Sequence, residues 1–192
     1  MILLAALAAG LLTGLGWARW HKQPYQPPEL NHIWLVFVAF VPQFTAFYLP
    51  VNGQNISGFL LPLSQALLLA FSWINRRLPG MMILLIGTAL NFTVIAANRG
   101  FMPISPQTAS HLVAQAVLEN VQPGERFGTK DILLLPEDTR FEWLADRFLP
   151  PAWSAYQVAF SFGDVLIAFG VFQLLAQQGL LLENFYSRGT PI

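Results

Sequence analysis

The sequence predicts an all-α membrane protein with five transmembrane helices, N-terminus outside and C-terminus inside, and a structured outer loop between helices four and five. Three observations predict it. Of 192 residues, 55% are hydrophobic and only 10% are charged, where a soluble domain carries roughly 25% charged residues. The apolar residues gather into five runs of about 17 to 20, close to the roughly 20 needed to cross a 30 Å hydrocarbon core. Arg19 and Lys22 follow the first run and Arg76 and Arg77 the third, so five crossings put both basic loops on one face and satisfy the positive-inside rule. The alternative, a soluble bundle of buried helices, is disfavoured by the charge content.

The first segment, Met1 to Trp17, is apolar from its start, with no basic region ahead of it as a secretory signal would have. It reads as a retained anchor. Ala6, Gly10 and Gly14 recur every four residues, the spacing that lets membrane helices approach closely. A proline-rich connector, Pro24 to Pro28, leads to the second segment, Ile33 to Leu49, which Pro42 interrupts. Proline frees a backbone carbonyl there and bends the helix. Pro50-Val51-Asn52-Gly53 is an uncharged turn suited to the translocated side, next to an Asn55-Ile56-Ser57 sequon read as fortuitous. The third segment, Ile56 to Ile74, carries Pro62 and Gln65; the fourth, Met81 to Ala97, carries Thr88, Asn91 and Thr93. Asn98-Arg99-Gly100 then has the residues of a helix C-cap.

The outer loop, residues 99–151, is the one sizeable polar stretch of what reads as a single domain. Ser105-Pro106 predicts the start of an amphipathic helix with Ala109, Leu112, Val113, Ala116 and Val117 on one face. Thr139 with Glu142 has the capping-box spacing of a second short helix, its apolar face Phe141, Leu144, Ala145 and Phe148. Together they predict a lid lying on the bundle.

The fifth segment opens at Phe160-Ser161-Phe162-Gly163-Asp164-Val165, which puts a lone carboxylate at the head of an apolar run. An ionised Asp deep in hydrocarbon costs roughly 2.5 to 3.5 kcal/mol on insertion scales. It must be hidden, paired or held at the surface. Ser161 and Asp164 have the spacing of an acidic capping box, which would only start the helix. On the functional reading Asp164 accepts a proton or cation, or pairs with Arg99, Arg126 or Arg140. At 1.5 Å rise per residue, Gln43, Gln65 and Asn91 fall at the middle or outer half of their helices. With Asp164 they would form either interhelical hydrogen-bond glue or the wall of an outward-facing pocket. Gln173, Gln177 and Gln178 lie lower, the last two at the inner exit.

Other chemistry finds little support. The net charge is zero and no polybasic run occurs, so there is no electrostatic footprint for nucleic acid or for an anionic membrane surface, and both are set aside as partners. The absence of cysteine removes disulfides, thiolate metal sites and thiol nucleophiles. His21, His32 and His111 give neither a haem clamp nor a zinc spacing, and no nucleophile elbow or phosphate loop is present. No cofactor, metal or catalytic residue is expected. A triad built on Ser110 and His111 would be possible, but nothing requires it.

Asn91, the run Ala96-Ala97-Asn98-Arg99-Gly100-Phe101-Met102-Pro103, and Ser161-Phe162-Gly163-Asp164 together resemble a bacterial family of small multi-spanning membrane proteins catalogued as a domain of unknown function. In that family an Asn-Gly-Met-Pro segment follows the fourth helix, a lysine and a Trp-Leu-x-Asp-like piece follow in the loop, and Ser-x-Gly-Asp opens the last helix. The matching residues are Asn98, Gly100, Met102, Pro103, Lys130, Leu144, Asp146, Ser161, Gly163 and Asp164. The resemblance implies a membrane location and a bacterial source, hence the bacterial cytoplasmic membrane, and it brings no activity with it.

Two roles are therefore expected. The first is a non-catalytic accessory or scaffold subunit, with the lipid bilayer and a membrane-protein partner or second copy as its contacts. The second is a small-molecule, lipid or ion binding or transport protein, with an outer-leaflet polar site drawn from Asp164, Ser161, Asn91, Asn98, Gln65, Gln43 and Arg99. An odd helix count without internal symmetry argues against a self-contained alternating-access transporter.

Overall fold

The structure, a computed structural model, describes residues 2–48, 54–154 and 157–176. Most of it is helical: α1 (Ile2–Trp20), α2 (Trp34–Tyr48), α3 (Gln54–Ile74), α4 (Met81–Ala97), two short pieces α5 (Pro106–Ser110) and α6 (Gln115–Leu118), and α7 (Phe162–Ala176). Pro42 and Pro62 lie inside α2 and α3 as expected. Among the described residues one helix, Ile2–Trp20, is long and apolar enough by itself to cross a membrane. The apolar stretches Trp34–Thr45, Gly58–Ile74, Met81–Ala97 and Phe162–Ala176 are shorter. The Pro50 to Gly53 turn, the side chains of Asn55, Ile56 and Ser57, and Gln177 and Gln178 lie outside the described residues.

The long helices pack in a row, α1 on α7, α7 on α4, α4 on α3 and α3 on α2. Glycine sets the spacing on both sides of α7. A Cβ on Gly87 would come within 2.6 Å of the Gly163 carbonyl oxygen, and one on Gly170 within 2.7 Å of the Gly80 oxygen. Backbone contact this close is possible only without side chains. On the opposite side Gly10 and Gly14 are buried against Phe172 and Leu175. The small-residue stripe of the first segment thus serves contact within the chain.

α4 ends as its sequence signals: Asn98 is the C-cap, Gly100 adopts φ 83, and the Gly100 N–H donates to the Ile95 carbonyl at 2.9 Å. Beyond it the fold departs from the all-helical expectation. Residues 102–133 supply a three-stranded sheet in the order β1 (Met102–Ile104), β3 (Asp131–Leu133), β2 (Arg126–Phe127), with β1 parallel and β2 antiparallel to β3. Strands of two or three residues are too short to carry an alternating pattern. Ser105 caps α5 by accepting from the Thr108 N–H at 3.2 Å, yet the helix stops at Ser110 instead of continuing through Val117. Turning the chain there lets Leu112, Val113, Leu118 and Val121 pack on Ile104, Ala109, Phe127, Leu133 and Ala159. The helix expected from Thr139 and Glu142 is replaced by two single 3-10 turns, Pro136–Asp138 and Glu142–Leu144, separated by Phe141 at φ 57. The lid is anchored by a second core in which Phe101, Met102, Ile132, Leu134 and Leu144 meet Leu61, Val94 and Ile95.

Candidate functional site

Where the lid meets the ends of α4 and α7, the polar side chains converge. Ser161 and Asp164 form a reciprocal capping box: the Asp164 N–H donates to Ser161 Oγ at 3.1 Å, and the Ser161 N–H donates to Asp164 Oδ2 at 3.1 Å. Both bonds satisfy first-turn donors that have no helical partner. Asn91 of α4 ties the box across the interface. Its Nδ2 donates to Asp164 Oδ1 at 2.8 Å, and its Oδ1 accepts from Ser161 Oγ at 2.9 Å. A Cβ on Gly163 would collide with that Oδ1, so the glycine of the Ser-x-Gly-Asp run makes room for the asparagine.

The lid adds charge beside this network. β1 lies between two acids: Met102 pairs with Asp131 on β3, and Ile104 bridges to Asp146 on the other side. The Asp146 N–H donates to the Pro103 carbonyl at 3.0 Å, and the Met102 N–H to the Lys130 carbonyl at 3.0 Å. These main-chain bonds fix three charged side chains in one place. Lys130 Nζ reaches Asp146 Oδ2 at 2.5 Å and Asp131 Oδ1 at 3.8 Å. The Asp146 side chain is fully buried, while Lys130 keeps 26% of its side-chain surface. Asp164 is near enough to act electrostatically on all three.

One ammonium facing three carboxyls cannot balance them. Burial works against the Lys130 charge, but Asp146, Asp131 and Asp164 outweigh it and hold the lysine above its ordinary pKa. Burial pushes Asp131 up to about 6 and Asp146 up to about 8, opposed in each case by Lys130 and reinforced by Asp164. The directions agree, because one carboxyl can take a proton and still leave the lysine two negative neighbours. Geometry says the same. Oδ1 of Asp131 and Oδ1 of Asp146 are buried without a hydrogen-bond donor, and both carboxyls flank Lys130. A proton on one acid makes it a donor.

Of the residues singled out from the sequence, Asp164, Ser161 and Asn91 are brought together directly. Asn98, at the end of α4, is buried and serves a different purpose: Nδ2 donates to the Arg140 carbonyl at 2.8 Å, and Oδ1 accepts the Arg140 N–H at 3.0 Å. Gln43 and Gln65 do not join the cluster. α2 packs on α3 at the edge of the row, and among the described residues no hydrogen bond links either glutamine to Asp164. Gln65 Oε1 is buried without a donor. Asp164, for which the sequence offered Arg99, Arg126 or Arg140 as counter-ion, acts electrostatically on Lys130. Asp131 was not singled out at all, and its only sequence signal is a second acid next to that lysine.

A family match spans the site. The family described as one of unknown function, DUF5317, matches residues 28–176. The chain belongs to this family. The DUF5317 match takes in both arms of the site, from Asn91 on α4 through Lys130 and Asp146 to Asp164 on α7. No curated protein and no solved structure matches the chain.

Proposed function

We propose that this DUF5317 protein crosses the bacterial cytoplasmic membrane five times, N-terminus outside, and binds a proton beneath its outer lid. Support for the crossings comes from what the helices expose. Leu4, Leu12, Phe37, Phe40, Phe44, Phe59, Ile86 and Phe169 all face outward, an apolar belt far larger than soluble proteins show. Exposed tryptophans fall at both ends: Trp20, Trp34 and Trp73 at one, and Trp143 in the lid with Trp153 just after it at the other. That is the placement of interfacial aromatic girdles. Directions alternate as well. The start of α2 is tied to the end of α3 by Asn31 and Asn75, and Gly87–Gly163 with Gly80–Gly170 run α4 antiparallel to α7.

The observation that carries the binding reading is the pair of buried, donorless oxygens on Asp131 and Asp146 beside a single lysine. Lys130 already supplies the positive charge of the pocket, so the smallest missing species is a proton. Strongly shifted acids gathered round one lysine make this cluster a functional-site candidate. Of the features that suit an accessory subunit, the small-residue stripe at Gly10 and Gly14 is taken up by α7 within the chain. Infrared difference spectra of the purified protein between about pH 5 and about pH 9 test the reading. A buried protonated-carboxyl band should titrate in the wild type and lose its component near pH 8 in Asp146→Asn. An unchanged spectrum in that variant would overturn the assignment.

A further inference from the structure

We propose that a second site, separate from the acid cluster, binds the phosphate group of an anionic membrane lipid between Arg99 and Arg140. The two arginines are far apart in sequence and are joined by one side chain. Asn98 holds the Arg140 backbone at both its N–H and its carbonyl, and Arg99 is the next residue along. The backbone on either side is held in an uncommon conformation, with Arg99 at φ 59 and Phe141 at φ 57. A left-handed, non-glycine residue persists only where its surroundings enforce it. Two such residues bracketing one clamp fix the two guanidinium stems relative to each other.

The result is a cleft of about 400 Å³ lined by Asn98, Arg99, Pro123, Gly124, Asp138 and Arg140, among others. Arg99 and Arg140 are exposed, and neither makes an ion pair among the described residues. Asp138 is the one carboxylate in the lining, against two arginines. The Arg99 guanidinium lies against Gly124, at 3.4 Å from where a Cβ would sit. That contact places it on the wall shared with a second cleft of about 500 Å³, lined by Phe59, Pro62, Ala96, Phe101 and Arg126. Arg126 stands over the Phe101 ring at 5.1 Å. The first cleft is cationic and the second largely apolar, opening along the outward face of α3 that displays Phe59. Paired guanidinium groups suit phosphate oxygens, and an adjoining apolar groove at a helix end suits the start of an acyl chain.

The phosphate chemistry stands on the arginines alone, whereas its lipid source rests on the five-crossing reading. Full-length protein in detergent is titrated with phosphatidylglycerol, phosphatidylcholine and glycerol phosphate, and retained lipid is counted by native mass spectrometry. Phosphatidylglycerol should bind in preference to phosphatidylcholine. Arg99→Gln and Arg140→Gln should each weaken it about 5-fold and together about 30-fold, at about 1 kcal/mol per arginine near the surface. Arg147→Gln, an exposed lid arginine outside both clefts, should leave binding unchanged. Equal retention of the two lipids, an equal loss in Arg147→Gln, or competition by glycerol phosphate at the same concentration would each overturn the proposal. Failure of the infrared titration at Asp146 would leave this result untouched, since the two sites share no residue.

Discussion

Lys130→Met should destabilise the protein by an amount that grows with pH. In the wild type the ammonium lies 2.5 Å from Asp146 and 3.8 Å from Asp131. At an effective dielectric of about 20, each full-charge pair is worth on the order of 5 kcal/mol of attraction. Desolvation of several kcal/mol per ion cancels much of that, so the intact cluster is close to neutral for stability. Removing one partner is different, because buried charge is left behind. Near pH 9, where Asp146 with its value of about 8 is ionised, the loss should reach about 3–5 kcal/mol. Near pH 5 the same acid is protonated, and the substitution removes a hydrogen bond from a charged donor, about 1.5–3 kcal/mol. The expected difference is therefore about 2 kcal/mol. Unfolding in mixed micelles of mild detergent and dodecyl sulfate, followed by tryptophan fluorescence at both pH values, measures it directly. Equal destabilisation at the two pH values would refute the picture of a proton-titrated cluster.

The wild type itself should lose stability as pH rises. Asp131 and Asp146 have folded-state values of about 6 and about 8, above the ordinary value near 4, so the folded state holds more protons across that window. Their contribution is complete below about pH 4 and gone above about pH 8, and a melting-temperature profile that rises over this range would contradict it. Asn98→Ala should cost about 2–3 kcal/mol in the same unfolding assay, because it strands the Arg140 N–H and carbonyl; a neutral effect would show that the clamp is dispensable. Gly163→Ala should push Asn91 away from Ser161 and lower stability by about 1–3 kcal/mol, measured alongside Gly16→Ala, which has open space, as the benign control. The chain has no cysteine, so Glu137→Cys and Arg77→Cys report topology cleanly. An impermeant maleimide added to intact cells should label the first and spare the second, and the reverse pattern would invert the orientation.

The long helices and most of their limits were legible because long apolar runs between polar breaks advertise themselves. α4 occupies Met81–Ala97, the span read from the sequence, since Gly80 before it and Asn98-Arg99-Gly100 after it are local signals. The lid resisted the same treatment. Its strands take two or three residues each and are held by partners up to 29 positions away in the Met102–Asp131 pairing, so no window of sequence contains them. The Thr139–Glu142 spacing looked like a capping box, but the Arg140 backbone between those residues is claimed by Asn98. A local pattern lost to a tertiary partner.

The site divides along the same line. Ser161 with Asp164 could be read because a capping box is a local code, and the box forms as spaced. Asn91 could be placed at the right depth, 73 positions from the aspartate it meets. Depth alone equally favoured Gln43, however, and says nothing of which helices are neighbours; α2 stands at the end of the row, beside α3. Lys130, Asp131 and Asp146 carry no depth and no period, because they sit on either side of a strand, β1, that the sequence does not announce. Yet these are the residues that set a charged, buried cluster beside an ordinary helix start. Asp164 with Ser161 and Asn91 alone is a satisfied cap, each oxygen matched to a donor; only the lid brings in acids whose oxygens have none. If the binding reading is right, then, the transmembrane polar residues are the floor of the site and the lid is its chemistry, and substitutions in the lid should disturb proton uptake more than substitutions at Gln43 or Gln65.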